Sequence, residues 1–234
     1  MAEATPAAIT AFCAALGYQF TDQALLTKAL SHRSWIAENP HLDAPDVIAH
    51  NERLEFLGDS VLGHAITDLL FDRTPGLREG LLAKARSEVV STESLAILAR
   101  QLGLGNALSV GKGEEISGGR QKDSILADAM EAVFGAMYLD GGWETAALTI
   151  QGLLADQVTE ALDTPGHHDF KTRLQERAAE MGLGTPRYDV TSSGPDHGKQ
   201  FVATAVVGTV ETQGTGSSKK QAQQDAAEQA LALL

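Results

Sequence analysis

Apolar residues at Ile9, Phe12, Cys13 and Leu16 recur at helical spacing and predict an amphipathic first helix over about 7–16. Thr21-Asp22 can cap a second helix that carries Leu25, Leu26, Ala29 and Leu30. Pro40 and Pro45 make 37–50 a loop, and a helix follows from about His50 to Phe71. After the turn Thr74-Pro75-Gly76, the stretch 79–101 is again helical, with Leu81, Leu82, Val89, Leu95 and Leu98 as its apolar positions. Residues 103–122 are glycine-rich. A helix from about Ser124 to Leu139 should stop at Asp140-Gly141-Gly142, and a last one should cover Trp143 to Leu162.

The texture then changes. Asp163-Thr164-Pro165-Gly166 breaks the helical pattern, and a helix from about Phe170 to Met181 precedes alternating, strand-like segments. These are Arg187–Ser192, Gln200–Val207 and Gly208–Thr212, with the loop 193–198 between the first two. Ser217 to Leu234 is a terminal helix with alanines on one side. The expected architecture is therefore multidomain: an all-α domain over 1–162, a linker over 163–168, and a small α-β-β-β-α domain over 169–234. No internal repeat is present.

Composition narrows the class. Hydrophobic residues make up 43% and charged residues 21%, enough apolar material for a core and against wholesale disorder. The most apolar segment, Ile125 to Leu139, is interrupted by Asp128 and Glu131, so no membrane span is expected. A single cysteine, Cys13, excludes an internal disulfide and fits a reducing compartment. The apolar run Ala7–Leu16 is preceded by Glu3 and by no Lys or Arg, unlike a secretion signal, and the expected location is cytoplasmic. Gly111-Lys112-Gly113 lacks the Walker spacing, so no nucleotide cofactor is expected. The formal net charge of −13 opposes nucleic acid in bulk.

The densest chemistry lies in Asn51-Glu52-Arg53-Leu54-Glu55-Phe56-Leu57-Gly58-Asp59-Ser60. At about 100° per residue, Glu52, Glu55 and Asp59 share one helix face while Leu54, Leu57 and Val61 take the other. Asp128 and Glu131 form a second pair at i, i+3 on an otherwise apolar helix. A solvated acidic face is one reading. The other is a metal site, because ionised carboxylates near a buried helix need a counter-charge. In that reading Glu55 and Asp59 face Asp128 and Glu131, and Gly63 and Gly135, one turn beyond, let the two helices approach. All-oxygen ligation suits Mg²⁺, with Mn²⁺ able to substitute. Such a site can hold two ions about 3.5–4 Å apart and hydrolyse a phosphodiester with metal-activated water.

These two segments resemble known motifs. The ten residues from Asn51 to Ser60 resemble the signature of bacterial ribonuclease III. Ser117-Gly118-Gly119-Arg120, followed by Ser124-Ile125-Leu126-Ala127-Asp128-Ala129-Met130-Glu131-Ala132, resembles that family's second motif. The resemblance runs from about residue 8 to the end. It implies that Glu55, Asp59, Asp128 and Glu131 are metal ligands, with Asp59 and Glu131 most directly catalytic. It also implies that Glu52 and Glu79 support the cleavage site and that Phe56 inserts into a partner subunit. The implied enzyme is a homodimeric, Mg²⁺-dependent endoribonuclease of double-stranded RNA. Its products carry 5′-phosphates and short 3′ overhangs, and its work is the maturation of ribosomal RNA precursors and the processing and decay of structured messages. The alternative is a non-catalytic dimer that only binds duplex RNA.

Residues 169–234 resemble a double-stranded RNA-binding domain through Lys171-Thr172-Arg173-Leu174-Gln175-Glu176 and Gly214-Thr215-Gly216-Ser217-Ser218-Lys219-Lys220. Ser217 or Ser218 can cap the final helix. That places Lys219 and Lys220 at the positive end of the helix dipole, an unfavourable position that an RNA phosphate would relieve. The resemblance also implies RNA contacts from Gln175 and Glu176 in the first helix and from His197 in the 193–198 loop. The domain is near neutral. Lys171, Arg173, Arg177, Arg187, Lys199, Lys219 and Lys220 are set against Asp169, Glu176, Glu180, Asp189, Asp196, Glu211, Asp225 and Glu228. Weak, strongly salt-dependent binding through clustered lysines is expected. His32-Arg33-Ser34 has no companion acid nearby in sequence and is expected to serve packing, as is Cys13.

Overall fold

A computed structural model describes residues 4–42, 49–163, 169–193 and 199–234. The chain divides into two compact units, Met1–Pro165 and Gly166–Leu234. The first is helical. Helix α1 (Pro6–Leu16) starts under a Thr5 cap, buries Phe12, Cys13 and Leu16, and ends at Gly17, whose φ of 72° only glycine adopts cheaply. Asp22 caps α2 (Gln23–Ala29) by accepting from Ala24 N–H. Helix α3 (Arg33–Glu38) and a 3₁₀ turn (Pro40–Leu42) precede α4 (Glu52–Arg73).

The stretch expected as one helix over 79–101 is two, α5 (Glu79–Val89) and α6 (Thr92–Gln101). Ser91 breaks it by turning extended and accepting from Ser94 N–H. The glycine-rich 103–122 segment contains two short helices, α7 (Leu104–Ala107) and α8 (Lys112–Ile116), and a 3₁₀ turn (Gly119–Gln121).

Helix α9 (Asp123–Leu153) is broken within Asp140-Gly141-Gly142, as expected, into two helical arms. Gly142, at φ 77° and ψ 178°, leaves the helical region and kinks the axis, and the second arm ends at Leu153, so the last helix expected over 143–162 is that arm followed by α10 (Ala155–Asp163). Asp140 ties the kink to the start of α2. Its carboxylate accepts from the Tyr18 hydroxyl (2.7 Å) and from the N–H groups of Thr21 (2.9 Å) and Asp22 (2.8 Å).

Helices α4 and α9 form the centre of this unit. Leu54, Leu62, Ala65, Ile66 and Leu70 of α4 share one core with Met130, Val133, Phe134 and Met137 of α9. The glycines that bring them together are Gly58 and Gly135, not Gly63 and Gly135. A Cβ on Gly58 would lie 1.7 Å from the Glu131 carbonyl oxygen, and one on Gly135 would lie 2.3 Å from that of Leu54. Gly63 meets nothing within 4 Å. Gly58 sits one turn from Leu54 and Leu62 on the buried face, whereas Gly63 shares the open face with Asp59 and Thr67.

The second unit is α11 (Phe170–Glu180), an antiparallel sheet β1 (Arg187–Ser193), β2 (Gln200–Val207), β3 (Val210–Gly216) in that order, and α12 (Lys219–Leu231). The β2–β3 hairpin closes at Val207↔Val210 across Gly208-Thr209, with Gly208 at φ 57°. Strand β3 runs four residues beyond the expected end at Thr212, to Gly216. Ala222, Ala226, Ala227 and Ala230 bury one face of α12. Gly214 and Gly216 admit that helix onto the sheet, since a Cβ on either would lie 2.1 or 2.7 Å from the N of Ala226 or Ala222. No helix among the described residues is long and apolar enough to cross a membrane.

Candidate nuclease site and RNA-binding surface

The crossing at Gly58 and Gly135 decides where the carboxylates go. Glu55 lies three residues before Gly58, and Glu131 lies four residues before Gly135, so the close approach brings their turns together. One carboxylate oxygen each from Glu55, Asp128 and Glu131 falls within 4.8 Å of the others. Burial pushes the Glu131 carboxyl up to about 8, helped by the charges of Asp59, Asp128 and Glu55. Burial also raises Glu55, with Asp128 and Glu52 adding to it and Arg33 opposing. Asp128 is raised by burial against the pull of Arg33. Arg33 offsets the charge of these three crowded acids only in part, and their oxygen donors fit a hard divalent cation.

The fourth expected ligand, Asp59, stands outside that trio although its charge reaches Glu131. It is exposed and opens onto a cleft of about 520 Å³ lined also by Ser60, Gly63, His64, Thr67, Arg86 and Val90. His64 there stacks edge-on against Trp143, with centroids 4.4 Å apart. Glu52 is exposed and contacts Arg33 Nη1 at 3.4 Å and His50 Nδ1 at 3.7 Å. Glu79 is the exposed first residue of α5. Phe56 is 80% exposed on α4, unusual for a large apolar ring.

His32 does serve structure. Its Nδ1 caps α3 by accepting from Ser34 N–H, and Ser34 Oγ accepts from Gly111 N–H at 2.8 Å. Burial lowers its pKa. Arg33 is different, because the fold supplies the acid its sequence neighbourhood lacks, namely Glu52. Nothing local announces that pairing across 19 residues.

In the second unit, Gln175 and Glu176 are exposed on α11, and Lys219 and Lys220 are exposed in the first turn of α12. Ser218, rather than Ser217, caps α12 by accepting from Gln221 N–H. The Ser217 hydroxyl instead donates to the Gln221 side chain. His197 lies outside the described residues. Lys171 sits 4.9 Å over the Tyr188 ring and bonds Gln223.

Residues 22–158 match the family model described as Ribonuclease-III-like, and residues 170–234 match that of the double-stranded RNA binding motif. The chain belongs to the ribonuclease III family. Ribonuclease 3 of Streptomyces coelicolor is 50% identical over 216 residues, spanning 92% of this chain and 76% of that protein. Ribonuclease 3 of Thermobifida fusca is 46% identical over 227 residues, spanning 97% and 92% respectively. Among solved structures, the nuclease domain of ribonuclease III from Campylobacter jejuni superposes with a TM-score of 0.57 at 37% identity. It covers 64% of this chain and 97% of that one. This ribonuclease III-type chain is thus an endoribonuclease that carries its own double-stranded RNA-binding domain.

Proposed function

We propose that this chain is a divalent-metal-dependent endoribonuclease that acts as a homodimer, each subunit cutting one strand of duplex RNA. The reading assigns a nuclease domain to 1–162, a linker to 163–168 and the RNA-binding domain to 169–234. The observation that carries it is the convergence of Glu55, Asp128 and Glu131 within 4.8 Å on two helices held in backbone contact.

Those three residues, with Asp59 at the edge of the trio, would hold the cation. Mg²⁺ is the proposed ion and Mn²⁺ its substitute. Such an ion supplies Lewis acidity, lowering the pKa of water and offsetting charge on the scissile phosphate. Glu131 and Asp59 would orient and deprotonate the attacking water. Glu52 and Glu79 border the cleavage position. In-line displacement leaves a 5′-phosphate on one product and a 3′-hydroxyl on the other. Two such sites related by a two-fold axis cut the two strands with a short stagger, which leaves 3′ overhangs. The exposed Phe56 is the proposed contact to the partner, in line with the region involved in dimer formation that the Campylobacter jejuni nuclease domain possesses. Gln175, Glu176, His197, Lys219 and Lys220 would grip the duplex, reading 2′-hydroxyls and phosphates rather than sequence. Precursors of ribosomal RNA and structured messages in the cytoplasm are the proposed substrates.

The test is incubation of long duplex RNA with the purified protein in Mg²⁺, in Ca²⁺ and in EDTA, followed by end analysis. Short duplexes with 5′-phosphates and 3′ overhangs, formed only with Mg²⁺, are expected. Intact RNA in Mg²⁺ with binding retained would sink the catalytic reading in favour of a duplex-binding dimer.

A further inference from the structure

We propose that Arg33 binds a phosphate of the duplex beside the carboxylate cluster, releasing Glu52 to do so; this rests on reading Glu55, Asp128 and Glu131 as the cutting site. Arg33 is the first residue of α3, and its side chain is 72% exposed. Among the described residues its ion-pair partner is Glu52, through one contact of 3.4 Å to a carboxylate itself 47% exposed. A single-contact pair this open to water is held weakly and exchanges easily. A phosphate offers the guanidinium the two parallel hydrogen bonds that this contact does not.

Position favours the same conclusion. Glu52 and Glu55 are three residues apart on one face of α4, so Arg33 stands at the rim of the acidic trio. Its charge acts on both Glu55 and Asp128, easing their ionisation. A hollow of about 600 Å³ opens beside it, bordered by Pro40, His50 and Glu114, which leaves room for a phosphate group. Glu114 is engaged by Lys122 at 2.5 Å.

The base of the side chain is rigid. His32 N–H donates to Ser109 O at 3.0 Å, and Gly111 N–H donates to Ser34 Oγ at 2.8 Å. Gly111 packs so tightly that a Cβ there would lie 2.7 Å from Ser34 O. Only the arginine stem is free to reach, so little backbone order is lost on binding. In a chain of net charge −13, a cation at this rim is where RNA repulsion most needs local relief.

The competing role is purely internal, with Arg33 neutralising the carboxylates and never touching RNA. The two roles separate by salt dependence. Binding of a defined RNA duplex is measured from about 50 to 200 mM salt with full-length protein carrying Glu131→Gln to block cutting. Arg33→Ala and Arg33→Gln should each weaken binding about three- to tenfold and lower the slope of log Kd on log salt by about one. Arg33→Lys should restore the slope. With Glu131 intact, Arg33→Ala should raise KM with kcat within about threefold. An unchanged slope and KM would overturn the proposal, and so would a lone shift of the Mg²⁺ midpoint to lower concentration. Absence of cutting by the unmodified protein in Mg²⁺ would instead strike the proposed function and leave the binding comparison readable.

Discussion

Gly58→Ala is the substitution for which the structure gives the firmest magnitude. The new Cβ would sit 1.7 Å from the Glu131 carbonyl oxygen, 2.5 Å from its carbonyl carbon and 3.0 Å from Gly135 N. All three are backbone atoms, so no side-chain rotation relieves the overlap. Ordinary contact requires the first distance to exceed about 3 Å, and only separation of α4 from α9 achieves that. Overpacking alone costs about 1–3 kcal/mol. Parting the helices also opens voids around Leu54, Leu62, Met130 and Phe134, so a total of about 3–5 kcal/mol is expected. For a unit of this size that is a fall in Tm of roughly 6–20 °C. The same displacement carries Glu131 away from Glu55, and Mg²⁺ affinity should fall at least tenfold. Gly63→Ala is the matched control on the same helix, where the new methyl meets nothing within 4 Å. It should stabilise by about 0.5–1 kcal/mol through helix propensity. Calorimetry and Mg²⁺ titration of both variants make the test. Equal stabilities for the two would refute the backbone-contact account of the site.

Other expectations follow from single contacts. Lys219→Ala with Lys220→Ala should weaken duplex binding and lower its salt slope by about two, while the melting of both units stays unchanged. Phe56→Ala should shift the sedimentation equilibrium toward monomer without lowering the stability of the nuclease unit, since the ring is exposed. Burial opposes ionisation of Asp140, but hydrogen bonds from Tyr18, Asp22 and Thr21 overcome it and hold the carboxyl below its usual 3.8. The folded-state pKa is depressed, so this stabilisation is present above about pH 4 and fades as the pH falls further. Asp140→Ala should therefore cost about 1 kcal/mol at pH 7 by chemical denaturation, with the deficit shrinking below pH 4. A deficit constant across that range would count against the hydrogen-bonded anchor.

Much of this protein was legible from local pattern. The period of Ile9, Phe12, Cys13 and Leu16 yields α1, the Asp22 cap yields α2, and the alternation after Arg187 yields the three strands, because each depends on neighbours in the chain. The i, i+3 spacing of Asp128 and Glu131 and the signature around Glu55 are equally local, and together they pointed to a metal site and to a family. What required the tertiary structure was every relation between distant segments. Glycine at 58 and glycine at 63 look alike in sequence. Only the packing of α4 on α9 shows that the first carries the crossing and the second faces an open cleft. Helical geometry put Glu52, Glu55 and Asp59 on one face, but the close approach at Gly58 and Gly135 brought Glu55 into the trio and left Asp59 outside it. The break at Gly142 was legible in Asp140-Gly141-Gly142, but the partners Asp140 meets there, Thr21 and Asp22, lie more than a hundred residues away. Arg33 meets Glu52 across 19 residues in the same way. Spacing along a chain sets which side chains share a face, while close packing between elements sets which faces meet.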